Sequence, residues 1–264
     1  MSTVTSKDGT KIAFDQSGSG QAIILVAGAI QYRAFDQGFA QLAGLLAPHF
    51  TVISYDRRGR GDSTDTQPYA VAREIEDIEA LIDETGGAAS LFGISSGGSL
   101  AFEAALALGG KVKKLAIYEA PYNDDEDARQ AWKEYTRQLD ELLAADRRGD
   151  AVALFMKLTG ATDDQIDEVR QTPVWPLFEA VGHTLAYDHS AILGEEASVP
   201  TERAAGVAVP TLVMDGGASY PFMHETALAL AEAIPHAQHR TLEGQTHEVA
   251  AEALAPVLVE FFKA

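Results

Sequence analysis

At 264 residues the chain is long for one domain and short for two, which favours a single core carrying an insertion. Its 46% hydrophobic and 22% charged residues are an ordinary globular balance, so disorder is not expected. Asp and Glu number 39 against 20 Lys and Arg, a formal charge of −19 that disfavours nucleic acid and anionic membranes, and the lack of cysteine excludes disulfides, thiolate metal sites and a cysteine nucleophile.

The opening stretch "MSTVTSKDGTKIAF" has no basic segment followed by an apolar one, so no signal peptide is expected. No apolar run approaches the roughly 20 residues of a membrane helix. The expectation is a soluble, cytoplasmic protein whose partner is a small molecule. Oligomeric state is not legible.

Along the chain, Asp8-Gly9 marks a turn, residues 12–14 an extended run, and residues 17–20 a Gly/Ser turn before a buried strand at 22–27. The Gly/Ser turn opens no helix and is not a dinucleotide loop. Phe35, Phe39, Leu42 and Leu46 then recur at helical spacing. "TVISYD" is a second apolar β-run, followed by the glycine-punctuated "RRGRGDS" and a helix carrying Val71, Ile75, Ile78 and Ile82, with Gly86-Gly87 closing it. "AASLF" (strand), residues 96–108 (helix) and "KLAIYEA" (strand) follow. Continuous apolar strands separated by helices predict an α/β protein with a mostly parallel, doubly wound sheet.

From 123 to 200 the rhythm changes. "DDED" at 124–127 suits the start of a helix, and Trp132, Tyr135, Leu139 and Leu142 share a helical face. Asp150 and Thr162 are expected N-caps, Thr162 in a capping box with Gln165. "TPVWP" breaks the chain, and "LFEAVGHTLAYDH" is helical again. With no β-run, 123–200 is expected to be a helical insertion into a core of 1–122 and 201–264. Afterwards "PTLVMD", "HETALALAEAI", "QHRTL" and a final helix restore the α/β rhythm.

The chemistry is concentrated in "LFGISSGGSL". Gly93-Ile94-Ser95-Ser96-Gly97 satisfies G-x-S-x-G between a strand and a helix, the setting of a strained nucleophile elbow whose tight turn tolerates little bulk. Ser95 is the nucleophile of that motif. The backbone N–H of Ser96 would point at a developing oxyanion.

On "IILVAGA", "YDRRGRGDS", the elbow and "EGQTHEV", the chain resembles the α/β-hydrolase family over essentially its full length, the insertion standing where that family carries a cap domain. The resemblance implies nucleophile, acid and histidine in that chain order. It identifies His247, between the last strand and the last helix, as the base, and the N–H of Ala29 as second oxyanion donor. Many members have His-Gly where this chain has Ala27-Gly28. The family's common acid position, counted from Gly216, falls on Ser219, so the usual acid is absent.

Two other carboxylates end neighbouring strands, Glu119 and Asp215. Part of the family sets its acid after the strand following the nucleophile helix. Zearalenone lactone hydrolase is similar there, with His-Glu-Val-Pro where this chain has Tyr118-Glu119-Ala120-Pro121. Glu119 is favoured, with Asp215 as the alternative. His236 and His239 flank an edge strand and read as solvated rather than as a metal pair. Trp175, Tyr187 and His183, all in the insertion, are candidate substrate-binding residues.

The expected activity is therefore a cofactor-free, metal-free serine hydrolase of carboxylic esters, with lactones the leading substrate class. A serine at the elbow argues against haloalkane dehalogenase or epoxide hydrolase chemistry, which uses an aspartate there. Carbon–carbon bond hydrolysis, acyl transfer or perhydrolysis with the same triad, and a non-catalytic ligand-binding protein are the alternatives.

Overall fold

The apolar runs become the centre of one eight-stranded sheet. Its strands are β1 (Ser2–Thr5), β2 (Lys11–Gly18), β3 (Ala22–Val26), β4 (Thr51–Tyr55), β5 (Ala89–Ile94), β6 (Val112–Tyr118), β7 (Thr211–Gly216) and β8 (Gln238–Leu242). The structure, a computed structural model, describes residues 1–264. Spatial order is β1-β2-β4-β3-β5-β6-β7-β8. β2 pairs antiparallel with β1 and β4, and every other pairing is parallel.

Helices cover both faces, so alternate residues of each inner strand enter different cores. Ile24 and Val26 of β3 pack with side chains of α2 (Val71–Glu84), α3 (Ser96–Leu108) and α9 (Pro221–Ala233). Ile23 and Leu25 pack on the opposite side, against α1 (Gln37–Leu46) and α10 (Ala251–Lys263). Each such fully buried aliphatic side chain stabilises by about 1.5–3 kcal/mol.

Between β6 and β7 there is no strand. That segment holds α4 (Glu126–Ala144), α5 (Arg148–Leu158), α6 (Asp163–Arg170), α7 (Trp175–Val181), a 3-10 turn at Gly182–Thr184, a π-helical stretch at Tyr187–Leu193 and the short α8 (Thr201–Ala204). Its apolar centre joins Tyr135, Leu139, Val152, Ile166, Trp175 and Leu185 to Ile30 and Tyr32 from the loop after β3. No helix is long and apolar enough to cross a membrane.

Three local expectations need correction. β1 was not expected: it is a four-residue, mostly exposed edge strand whose apolar content is a single valine. β2 runs on to Gly18, through the start of the expected Gly/Ser turn, because it pairs with β4 as far as Thr51. Asp150 is no N-cap. It lies inside the first turn of α5 and accepts from Arg147 and Arg170, while Arg147 holds the cap position without a side-chain bond. Thr162 does cap α6, in the expected box with Gln165.

Candidate active site

Three strand ends build the site. Ile94 pairs with Tyr118 and Tyr118 with Met214, so Ser95, Glu119 and Asp215 leave β5, β6 and β7 at one level. The N–H of Ser95 donates to Tyr118 O at 2.9 Å and that of Glu119 to Met214 O at 3.0 Å, stitching the three ends together. Ser95 is held at φ 55°, ψ −135°, and Glu119 at φ 48°. Such non-glycine conformations cost on the order of 1–3 kcal/mol and persist only where surroundings enforce them.

The glycines supply the enforcement. A Cβ on Gly93 would lie 2.3 Å from Gly97 O, and one on Gly97 would lie 2.3 Å from Val26 O. The turn closes because neither side chain exists. A Cβ on Gly28 would stand 3.1 Å from the Ser95 Cβ, so the loop after β3 reaches Ser95 directly. Gly28 N–H donates to Gln31 Oε1. No hydrogen bond formed outside the regular elements uses the N–H of Ala29 or Ser96, and Ser96, as first residue of α3, has no acceptor within its helix.

Glu119 is 1% exposed and its carboxylate accepts three hydrogen bonds. Gly216 N–H donates to Oε1 at 2.8 Å, and Ser219 Oγ donates to Oε2 at 2.9 Å. His247 Nδ1 lies 2.7 Å from Oε2. The loop carrying His247 is fixed from the ends of β6 and β7: Tyr118 OH donates to Thr246 O at 2.6 Å, and Ala218 N–H to Gln245 O at 2.8 Å. Asp215 takes no part in this arrangement. Met214 points toward α10, so the next side chain points to the opposite face, where the Asp215 carboxylate meets His224, His239 and Thr241. His239 is thus paired with a buried carboxylate, and the solvated reading of it does not hold.

A buried ionic cluster lies beneath Ser96 and went unread in the sequence. Arg57 grips Glu74 with two bonds of 2.8 and 2.7 Å, donates to Asp188 Oδ1 at 2.5 Å, and reaches Ala27 O. Arg60 donates to Gly28 O at 2.5 Å, to Thr184 Oγ1, and to Asp188 Oδ2. Asp188, from the π-helical stretch and fully buried, also accepts from Ser96 Oγ at 2.8 Å. Burial opposes its ionisation, but Arg57 and Arg60 outweigh this and hold its carboxyl below the usual range. One carboxylate of the insertion therefore braces both the first residue of α3 and the arginines that hold the loop after β3. Next to it, His189 sits among Trp132, Tyr135 and Phe155 with Nδ1 2.7 Å from the Tyr135 hydroxyl. Burial lowers its pKa to about 4.

The three candidate substrate-binding residues are engaged within the protein. Trp175 is buried in the insertion's own core with the Arg170 guanidinium over its ring. The Tyr187 hydroxyl donates to Asp65 Oδ2 and accepts from Gln67, and its ring stacks on Tyr69 at 3.8 Å. His183 Nε2 lies 3.5 Å from Asp65 Oδ2. Tyr187 and His183 thus face the loop between β4 and α2.

Residues 23–257 match the sequence model of the alpha/beta hydrolase family. Among solved structures, an alpha/beta hydrolase from Sphaerobacter thermophilus is similar at 53% identity and TM-score 0.86, over 99% of this chain and 100% of that one. A thermophilic esterase from Thermogutta terrifontis shares the fold at 22% identity and TM-score 0.73, over 99% and 97% of the two chains. The enol-lactonase from Burkholderia xenovorans does so at 20% identity and TM-score 0.69, with both chains fully covered.

Proposed function

The chain belongs to the alpha/beta hydrolase family, and from that premise we propose that it is a serine hydrolase of carboxylic esters, with lactones the leading substrate class. The observation that carries this reading is the 2.7 Å contact of His247 Nδ1 with the buried Glu119 carboxylate, one strand away from Ser95. Core residues 1–122 and 201–264 supply the chemistry, and residues 123–200 act as a cap. The cysteine-free composition suits the cytoplasm.

In the proposed reaction, Ser95 Oγ attacks the carbonyl carbon. With Nδ1 committed to Glu119, Nε2 is the nitrogen of His247 left to take the serine proton. The Glu119 charge stabilises the imidazolium that forms. The carbonyl oxygen becomes an oxyanion facing the N–H groups of Ala29 and Ser96. Collapse of the tetrahedral species expels the alkoxide, which takes the proton from His247; in a lactone that alcohol stays tethered to the acyl group. Water, deprotonated by His247, then attacks the acyl-enzyme; the acyl–Oγ bond breaks, Ser95 Oγ takes the proton back from His247, and the carboxylic acid is released as carboxylate. The lactone preference leans on the acid at the end of β6, as in the lactone hydrolase that is similar there. In this reading Trp175, Tyr187 and His183 set the cap in place over the site and shape the pocket from behind.

The test is labelling with a fluorophosphonate probe, followed by turnover of acyl esters, lactones and ring-fission diketones with a Ser95→Ala control. Folded protein whose Ser95 stays unlabelled would make the chain a binding protein. Turnover of diketones alone would move the reaction to carbon–carbon bonds.

A further inference from the structure

Apart from the Glu119–His247 pair, the end of β7 carries a second constellation that the proposed hydrolysis does not use. Asp215, 1% exposed, extends both oxygens toward imidazoles: His224 Nδ1 is 2.9 Å from Oδ2, and His239 Nε2 is 2.6 Å from Oδ1. We propose that Asp215, His224 and His239 form a binding site for a divalent transition-metal ion of the zinc class.

Topology brings the three together. Val213 pairs with His239 and Asp215 with Thr241, so Asp215 and His239 share one face of adjacent strands, while His224 comes down from the first turn of α9. The three donor atoms all lie within 4.8 Å of one another. Around a tetrahedral ion with bonds of about 2.0–2.2 Å, donors stand roughly 3.3–3.6 Å apart. The imidazoles must therefore back away from the carboxylate to admit the ion, His224 by roughly 0.4–0.7 Å and His239 by roughly 0.7–1.0 Å. The two rings stand side by side, with centroids 5.6 Å apart and planes at 69°. His224 is 48% exposed, which leaves its ring room to move and opens one coordination position to water.

The donor chemistry selects the ion. Two imidazoles and one carboxylate suit zinc, cobalt or nickel and not calcium or magnesium, which take oxygen. A ring that donates N–H to Asp215 need only adopt its other tautomer to offer a lone pair, so a neutral imidazole binds without net proton release. Thr241 Oγ1, 3.2 Å from Asp215 Oδ1, is the outer-shell donor that orients the carboxylate. One carboxylate and two neutral rings leave a bound divalent ion with a net positive charge, which the surplus of acidic residues in this chain favours. The ion would clamp β7, β8 and α9 directly behind Gly216, whose N–H holds Glu119. Its role is to stabilise the fold, not to enter the reaction.

The experiment uses the full chain without an affinity tag, stripped by chelator and titrated with Co2+ and Zn2+. One ion per chain is expected, with the visible absorption of four-coordinate Co2+ appearing and then vanishing as Zn2+ displaces it. At a hundredfold excess over Kd, the melting temperature should rise by about 5 °C. His224→Ala, a half-exposed position that leaves the core intact, and His239→Ala should each weaken Zn2+ binding by about a hundredfold or more, since even outer-shell losses cost 10–100-fold. Thr241→Val should weaken it by about tenfold. Absence of saturable 1:1 binding, binding untouched by both histidine changes, or equal stabilisation by Mg2+ would each overturn the site. Fluorophosphonate labelling of Ser95 is read separately and fails only if the hydrolase reading fails.

Discussion

Ser219 donates its hydroxyl to Glu119 at 2.9 Å, from the position where related chains commonly carry the acid. In the proposed triad the carboxylate comes instead from the neighbouring strand, and Ser219 keeps a hydrogen bond to it. Glu119→Gln preserves shape but removes the charge that stabilises the imidazolium, so kcat on a small ester should fall by about two to four orders of magnitude. Asp215→Asn, whose carboxylate meets His224 and His239 rather than His247, should cost tenfold or less, on the order of 1 kcal/mol. Both rates are measured on one ester; a large loss at Asp215 with a mild one at Glu119 would reverse the assignment.

The two serines of the elbow should separate sharply. Ser95→Ala is expected to lower kcat by about three to six orders of magnitude with the fold intact. Ser96→Ala retains the backbone N–H and removes only the donor to Asp188, a loss of about 1 kcal/mol in stability and less than tenfold in turnover. Denaturation curves and ester kinetics on both variants check this, and a more damaging Ser96→Ala would mean the elbow is misread.

Removing the charge at residue 188 should be costly. Asp188→Asn leaves Arg57 and Arg60 buried with Glu74 as their one remaining acidic partner, so a loss of about 3–5 kcal/mol in urea denaturation is expected. Because the same arginines hold the carbonyls of Ala27 and Gly28, kcat should fall with little change in KM. Unchanged kcat in a folded variant would limit the cluster to stability.

Acid should destabilise the protein through His189. Its folded pKa of about 4 lies below the roughly 6.5 of an unfolded histidine, so as pH falls the unfolded chain gains a proton that the folded one refuses. Stability is fully present above pH 6.5 and declines by about 1.4 kcal/mol per pH unit toward 4, a total of about 3 kcal/mol. His189→Gln, which keeps a partner for the Tyr135 hydroxyl, should flatten that slope in urea melts at pH 7, 5.5 and 4.5.

Tyr187→Phe breaks the bonds to Asp65 and Gln67 while keeping the stack on Tyr69. Turnover of small and bulky esters should fall in equal proportion, since the change loosens the insertion and leaves the pocket wall intact. A change in substrate ranking would put Tyr187 in contact with substrate.

Much of the fold is legible because inner parallel strands are continuous apolar runs, as β3 is, and few other structures tolerate them. The elbow is legible because its glycines answer to sub-3 Å approaches that no side chain survives. Glu119, which the structure sets against His247, is singled out in the sequence by its place at a strand end. The arginine–aspartate cluster could not. Arg57, Arg60 and Asp188 look in sequence like any solvated charges, and only the folding of the insertion over β4 brings position 188 to position 57. The same holds for His239, whose partner lies one strand away and 24 residues earlier.

The Ser96–Asp188 bond bears on how substrate enters. A lid swinging as a rigid body would strip a carboxylate from two guanidinium groups that are themselves buried, an excursion of several kcal/mol. In the proposed reading the pivot is fixed beside Ser95, α4 and α5 are tied to it through Tyr135 and Phe155 against His189, and motion is left to α6, which is held by exposed pairs such as Lys157 with Asp163. On that reading gate and reaction chamber are mechanically separate: α6 can move while Ser96 and the loop at Gly28 keep their spacing, so preorganisation for the oxyanion would survive each opening.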